Sequence, residues 1–282
     1  MIRTRDLFKP ALMGILNLTP DSFSDGGQYA DTDAAVKRAV TMAEEGADMI
    51  DVGGESTRPG SQRVPADEQK RRVLEVIAAV AQSLSEQLIS IDTTRAAVAE
   101  AALDAGAGMI NDISAGRNDP AMFELAAARN VPLCLMHMQG EPATMQDNPH
   151  YDDVVAEVCA FLHERMEAAV AHGVKEEQIV LDPGIGFGKT LEHNLALLRN
   201  LAQVTAIGRP VLLGASRKRF IAGVAGAGNK SADDTPANRV GGSCATTVIG
   251  FLAGVSLFRV HDVAVHRQAL DVTRKVYATM SP

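Results

Sequence analysis

Three times in this 282-residue chain a glycine is followed by a short apolar run that ends on a polar residue: GADMID from Gly46, GAGMIN from Gly106 and GVSLFR from Gly254. Each reads as a helix end closed by a left-handed glycine, then a buried strand, then a group able to bind something polar where the strand gives out. The polar residue is the fifth beyond each glycine: Asp51, Asn111 and Arg259. Around these repeats, short apolar runs alternate with longer amphipathic stretches along the whole chain, the pattern of repeated βα units and a parallel sheet. Candidate strands are Leu12–Leu16, Met49–Val52, Leu88–Ile91, Gly108–Ile110, Pro132–Met136, Ile179–Leu181, Pro210–Leu213 and Ser256–Val260. Eight such units predict one closed (β/α)8 TIM barrel over residues 1–282, with no linker dividing it. In such a barrel the carboxyl ends of the strands carry the chemistry.

Helical stripes fit between the strands: Val36, Val40 and Ala43 on the first helix, and Val154, Val158, Phe161 and Leu162 on a later one. Two connections are long for a barrel, Leu18–Thr32 and Gly54–Ala66, and read as lids over the rim. Val224–Pro236 reads as a mobile surface loop. With no Trp and 4% aromatic residues, the core must come from Ala, Val, Ile, Leu and Met. A formal charge of −8 and a pI near 5.4 argue against nucleic acid or an anionic membrane as partner. Charges and a proline break up the apolar residues near the start, and no run elsewhere reaches spanning length, so a soluble protein is expected. Cys134, Cys159 and Cys244 show no CxxC spacing; Cys134 and Cys244 read as core thiols, and a reducing, cytoplasmic setting is expected.

Nearly every candidate strand stops on a polar residue: Asn17, Asp51, Asp92, Asn111 with Asp112, His137, Asp182, Ser216 with Lys218, and Arg259 with His261. Any one of them would serve equally as a turn or helix-cap residue, but their convergence on one rim points to a site. DPGIGFGKT from Asp182 resembles a phosphate loop, yet Pro183 stands where a Walker A glycine is required. Nor do Gly184, Gly186 and Gly188 have dinucleotide spacing; they are expected to let backbone lie close to a flat ligand.

NLTPDSFSDGG (Asn17–Gly27), IDVGGESTRPG (Ile50–Gly60), IDTT (Ile91–Thr94), IND (Ile110–Asp112), LMHMQG (Leu135–Gly140), LDPGIGFGK (Leu181–Lys189), GASRK (Gly214–Lys218) and RVHD (Arg259–Asp262) follow one another through the barrel. Together they resemble the signature segments of the dihydropteroate synthases, a pterin-binding TIM-barrel family. The resemblance implies a Mg²⁺-dependent, cytoplasmic transferase of folate biosynthesis that works as a homodimer and is a target of sulfonamides. It would join 6-hydroxymethyl-7,8-dihydropterin diphosphate to 4-aminobenzoate, releasing diphosphate and 7,8-dihydropteroate.

By the same resemblance, Asp182 would accept the paired N–H donors of the pterin edge. Asn111 and Asp92 would complete that edge and Lys218 would donate to ring acceptors, between apolar walls from Met136, Ile113 and Phe187. Arg259 and His261, two apart on the last strand and so on one face, would meet the departing diphosphate. Asn17 would contribute to Mg²⁺ and diphosphate binding, with Thr57 near the same substrate. Ser216, otherwise a helix N-cap, would hold the aminobenzoate carboxylate. Asp21, Phe23, Ser24, Arg58 and Pro59 on the long loops would fold over the diphosphate and shape the aminobenzoate site, keeping water from a reactive methylene carbon. Lys218, Arg259, His261 and Asp92 are the expected catalytic residues, while Asp51 and His137 keep a supporting part. The aniline nitrogen is already a nucleophile, so no Ser, Cys or base triad is needed. A methyltetrahydrofolate-binding barrel would share the pterin carboxylates but has no diphosphate to hold; GASRK, RVH and STRPG favour the synthase. A silent pterin-binding paralogue is disfavoured by the intact Asn17, Lys218, Arg259 and His261.

Overall fold

The computed structural model describes residues 7–18, 28–57, 60–226 and 235–278. Eight parallel strands alternate with helices: β1 (Ala11–Asn17), α1 (Gln28–Glu44), β2 (Met49–Gly53), α2 (Ala66–Ser83), β3 (Leu88–Asp92), α3 (Ala96–Asp104), β4 (Met109–Asp112), α4 (Ala121–Arg129), β5 (Leu133–Met136), α5 (Val154–Ala171), β6 (Ile179–Asp182), α6 (Leu191–Arg199), α7 (Leu201–Thr205), β7 (Leu212–Leu213), α8 (Arg219–Gly226), α9 (Val240–Leu252), β8 (Leu257–Val260) and α10 (Val263–Ala278). Strand order is β6-β5-β4-β3-β2-β1-β8-β7. A bridge between Leu181 and Val211, with Leu181 N–H on Pro210 O at 2.9 Å, joins the two ends into a barrel.

The three repeated glycines do what their position requires. Gly46, Gly106 and Gly254 have φ of +99°, +115° and +87°. The residue after each returns its N–H to the preceding helix: Ala47 to Met42 O, Ala107 to Ala102 O and Val255 to Gly250 O, at 2.8 to 2.9 Å. That closure ends the helix and turns the chain straight into the next strand. At the other end of a unit, Asp153 caps α5 by accepting from Val155 N and Ala156 N at 3.0 and 3.1 Å.

Each strand is covered outside by helices and filled inside by its neighbours. Met13, Met49, Met109, Leu88, Cys134, Val180, Leu212 and Leu257 form an apolar plug through the barrel, separate from the larger core between strands and helices. The unbranched methionines suit such a gap, and truncating one fully buried Met costs about 2–5 kcal/mol. Among the described residues no helix is long and apolar enough to cross a membrane.

Several expectations are revised. β7 is two residues long; before it, Pro210 and Val211 meet β6 through the closing bridge, and Val211 O accepts from Leu257 N of β8 at 2.9 Å. α1 begins at Gln28, so the first long connection is shorter than its polar sequence suggested. The buried stripe of α1 is Ala35, Ala39 and Met42, one position before the expected Val36, Val40 and Ala43, because small residues let the helix lie closest to the sheet. The expected α5 stripe is found, although Phe161 is only half-buried. Cys244 is also half-buried. Most of Val224–Pro236 lies outside the described residues, after α8.

Candidate active site

Register places the polar strand residues on a common level. Asn17 pairs with Gly53, Gly53 with Asp92, and Asp92 with Asn111, so four neighbouring strands present one layer above the apolar plug. Gly53 stands bare between two of these groups: a Cβ there would lie 3.6 Å from Asn17 Oδ1 and 3.7 Å from Asp92 Oδ2. Across the mouth, a Cβ on Gly214 would lie 3.9 Å from Lys218 Nζ, 4.0 Å from Asp182 Oδ2 and 3.9 Å from Arg259 Cβ. Around these two bare glycines gather two carboxylates, an amide, a lysine and an arginine.

Arg259 starts lower, at the level of Met13, and its side chain climbs into this layer. Nε donates to Asp51 Oδ2 at 2.6 Å and Nη2 to Asp92 Oδ2 at 2.9 Å. Asn111 Nδ2 donates to the same Asp51 oxygen at 3.2 Å. Burial opposes the charge on Arg259, but Asp51 and Asp92 outweigh it and hold the guanidinium above its ordinary range. Burial, reinforced by the Asp51 charge, pushes Asp92 up to about 7 against the pull of Arg259. A carboxyl group that can gain or lose a proton near neutrality stands beside a permanent cation.

The opposite wall is built by the β6–α6 loop. Asp182 ends β6, and its Oδ1 accepts from Gly184 N at 2.7 Å. Burial raises its pKa while Lys218, Lys189 and the Gly184 amide pull it down. Lys218 donates to Ile185 O and sits 4.4 Å above the centre of the Phe187 ring. Burial brings its pKa down to about 8. Ile113, Met136, Met138 and Met145 form one apolar cluster with Phe187 packed on it, so the three expected wall residues are together. Behind this wall, buried Lys189 bonds His137 Nδ1 at 2.9 Å, Gly184 O at 2.9 Å and Phe187 O at 3.0 Å.

The chain matches the family model described as "Pterin binding enzyme" over residues 13–261. Dihydropteroate synthase of Escherichia coli is 45% identical over 276 residues, covering 98% of this chain and 94% of that protein. The chain belongs to the dihydropteroate synthase family. A solved Xanthomonas albilineans dihydropteroate synthase with 4-aminobenzoic acid superimposes with a TM-score of 0.89 at 46% identity, covering 98% of this chain and 95% of that one. A Yersinia pestis dihydropteroate synthase with a sulfonamide drug does so with a TM-score of 0.88 at 41% identity, covering 96% of each. The barrel is thus that of the dihydropteroate synthases over nearly its whole length.

Within this family frame, the structure brings together Asn17, Asp92, Asn111, Asp182, Lys218 and Arg259. His261 lies beyond β8, where its N–H and Nδ1 meet Ser216 Oγ at 3.2 and 3.1 Å. Ser216 is therefore engaged by His261 rather than by helix amides, and α8 begins three residues later. Thr57 is half-buried on the loop after β2. Arg58, Pro59, Asp21, Phe23 and Ser24 lie outside the described residues. Asp112, grouped with the rim on sequence, turns away: its carboxylate closes a turn on Ser114 N, Ser114 Oγ and Gly116 N at 2.7 to 2.8 Å. Gly184 and Gly188 serve a different purpose from the one expected. A Cβ on Gly184 would lie 1.9 Å from His137 O, and one on Gly188 2.3 Å from Gln139 O, so these glycines let two loops touch backbone to backbone. Sequence reasoning missed the Lys189–His137 bond, which spans 52 residues, and the ion pair of Arg217 with Asp262, whose Nε–Oδ2 distance is 2.8 Å. No local pattern signals either.

Proposed function

We propose that this pocket performs the dihydropteroate synthase reaction, joining 6-hydroxymethyl-7,8-dihydropterin diphosphate to 4-aminobenzoate. The observation that carries the reading is the meeting, in one barrel mouth, of a pterin-edge set (Asp182, Asn111, Lys218) with an anion-binding guanidinium (Arg259), over an apolar wall. Asp182 accepts the paired N–H groups of the aminopyrimidinone, and Lys218 donates to ring acceptors. The flat ring lies against Met136, Ile113 and Phe187. The methylene C–O bond breaks with its electron pair leaving on diphosphate, whose growing charge meets Arg259 and His261. The aniline nitrogen then bonds the methylene carbon and releases one proton. Ser216, Thr57 and Arg58 are assigned to the aminobenzoate and diphosphate ends.

No cluster of three metal-ligating side chains occurs among the described residues. Mg²⁺ typically keeps few protein ligands and takes its other oxygens from phosphate and water, which suits the single carbonyl oxygen of Asn17 facing the mouth. Bound there with diphosphate, the ion would offset charge on the leaving group. A homodimer is part of the proposal, supported by the exposed Ile249 and Leu252 of α9 and Val272 and Val276 of α10; cytoplasmic location fits the free thiols. The assignment of Arg259 is tested by calorimetric binding. Arg259→Ala should lose affinity for the pterin diphosphate while largely keeping it for a pterin lacking the diphosphate, and equal loss of both would refute the anion role.

A further inference from the structure

Asp51 lies in the middle of β2 and is fully buried, below the layer that would touch substrate. One oxygen, Oδ2, holds both Arg259 Nε at 2.6 Å and Asn111 Nδ2 at 3.2 Å. The other, Oδ1, is buried and has no hydrogen-bond partner among the described residues. A carboxylate kept for stability alone should satisfy both oxygens, since burying an unsatisfied one is unfavourable. Asp92, the second partner of Arg259, differs: it sits at the open level beside Gly53 and Asn17 Oδ1.

We infer that Asp51 is a positioning residue, the fixed anchor that sets Arg259 and Asn111 for the reaction while Asp92 is an exchangeable partner. The inference deepens the proposed function and rests on it. Held at Nε, the guanidinium keeps its plane and can turn only its Nη edge to an incoming anion. When the diphosphate arrives, Nη2 passes from Asp92 to it, and Asp92 is freed to accept from the pterin. An ionised Asp51 can only accept, so it fixes the Asn111 amide with its NH2 inward and its carbonyl oxygen left for a ligand N–H. One buried carboxylate thereby aligns the group that recognises the pterin and the group that stabilises its leaving anion.

The test is a double-mutant cycle on the full chain with pterin diphosphate, Mg²⁺ and 4-aminobenzoate. Asp51→Asn should lower kcat roughly ten- to a hundredfold, as removal of outer-shell carboxylates does, and raise KM for the pterin diphosphate but not for 4-aminobenzoate. In an Arg259→Lys background the same change should cost far less. An equal factor in both backgrounds, or a lowered Tm with unchanged kcat, would overturn the inference. Wild-type protein that makes no dihydropteroate would instead count against the reading it rests on, before any variant is compared. A second measurement needs neither turnover nor a folded variant at position 51. In arginine-labelled wild-type protein, the Arg259 Nε–H resonance, assigned by its loss in Arg259→Lys, should stay protected from exchange when inorganic pyrophosphate is added. Its loss on that addition would overturn the anchor.

Discussion

Replacing Gly184 by alanine should injure the site from behind. The residue has φ +66°, and a Cβ would stand 1.9 Å from the backbone oxygen of His137. Left-handed backbone costs an L residue about 1–2 kcal/mol, and forcing an extra carbon into a packed place costs about 1–3 more. The expected loss is therefore about 2–5 kcal/mol, or roughly a 4–10 °C fall in Tm for a chain of this size. Position 208 isolates the steric part, because Gly208 has φ +89° but a Cβ there meets nothing within 4 Å. Gly208→Ala should cost only the backbone strain. The damage at 184 should also reach function, since Gly184 N holds Asp182 at 2.7 Å and Gly184 O receives Lys189 at 2.9 Å. Urea unfolding of the two variants, with KM for the pterin diphosphate, measures both effects. If Gly184→Ala is no more destabilising than Gly208→Ala, the backbone contact between the β5 and β6 loops does not constrain the site as argued.

Arg259→Ala leaves Asp51 and Asp92 without their cation, at a cost of about 3–5 kcal/mol at alkaline pH; burial raises Asp92 to about 7 against the pull of Arg259, so without that pull its carboxyl takes up a proton at higher pH than in wild type, and the deficit should narrow as pH falls toward about 7 and stay level below it, seen as melting curves that converge and then run parallel. Burial lowers His266 to about 4, whereas an unfolded His titrates near 6.5. Its contribution to stability is thus present above about 6.5 and is lost as pH falls toward about 4. His266→Gln, which keeps a partner for Thr247 Oγ1, should show a stability gap to wild type that shrinks over that range in urea titrations; a flat gap contradicts it. Lys189→Met strands His137 Nδ1 and the carbonyls of Gly184 and Phe187, each worth roughly 1–3 kcal/mol. A clear fall in Tm with a raised KM for the pterin substrate is the expected result.

The barrel was legible because glycine, apolar run and polar residue recur with the period of a βα unit, and each repeated glycine proved to close a helix. The polar layer was legible in its members but not in its depth. Asp51, Asn111 and Arg259 occur inside their strands rather than beyond them, since a barrel places equivalent residues of tilted strands at different heights. That is why Asp51 read as a lesser rim residue, although it holds two of the assigned groups. Asp112 and His137 were indistinguishable from ligand contacts on position alone; which side of the strand end they face depends on partners at Ser114, Gly116 and Lys189. The glycines of the β6–α6 loop do permit close approach, but to neighbouring protein: backbone at Gly184 and Gly188, and the Lys218 side chain at Gly186.

The most direct test of the whole account is synthesis itself. Purified chain given 6-hydroxymethyl-7,8-dihydropterin diphosphate, Mg²⁺ and labelled 4-aminobenzoate should yield labelled dihydropteroate and one diphosphate per product, with a sulfonamide competing against 4-aminobenzoate. No product above a control without protein would contradict it.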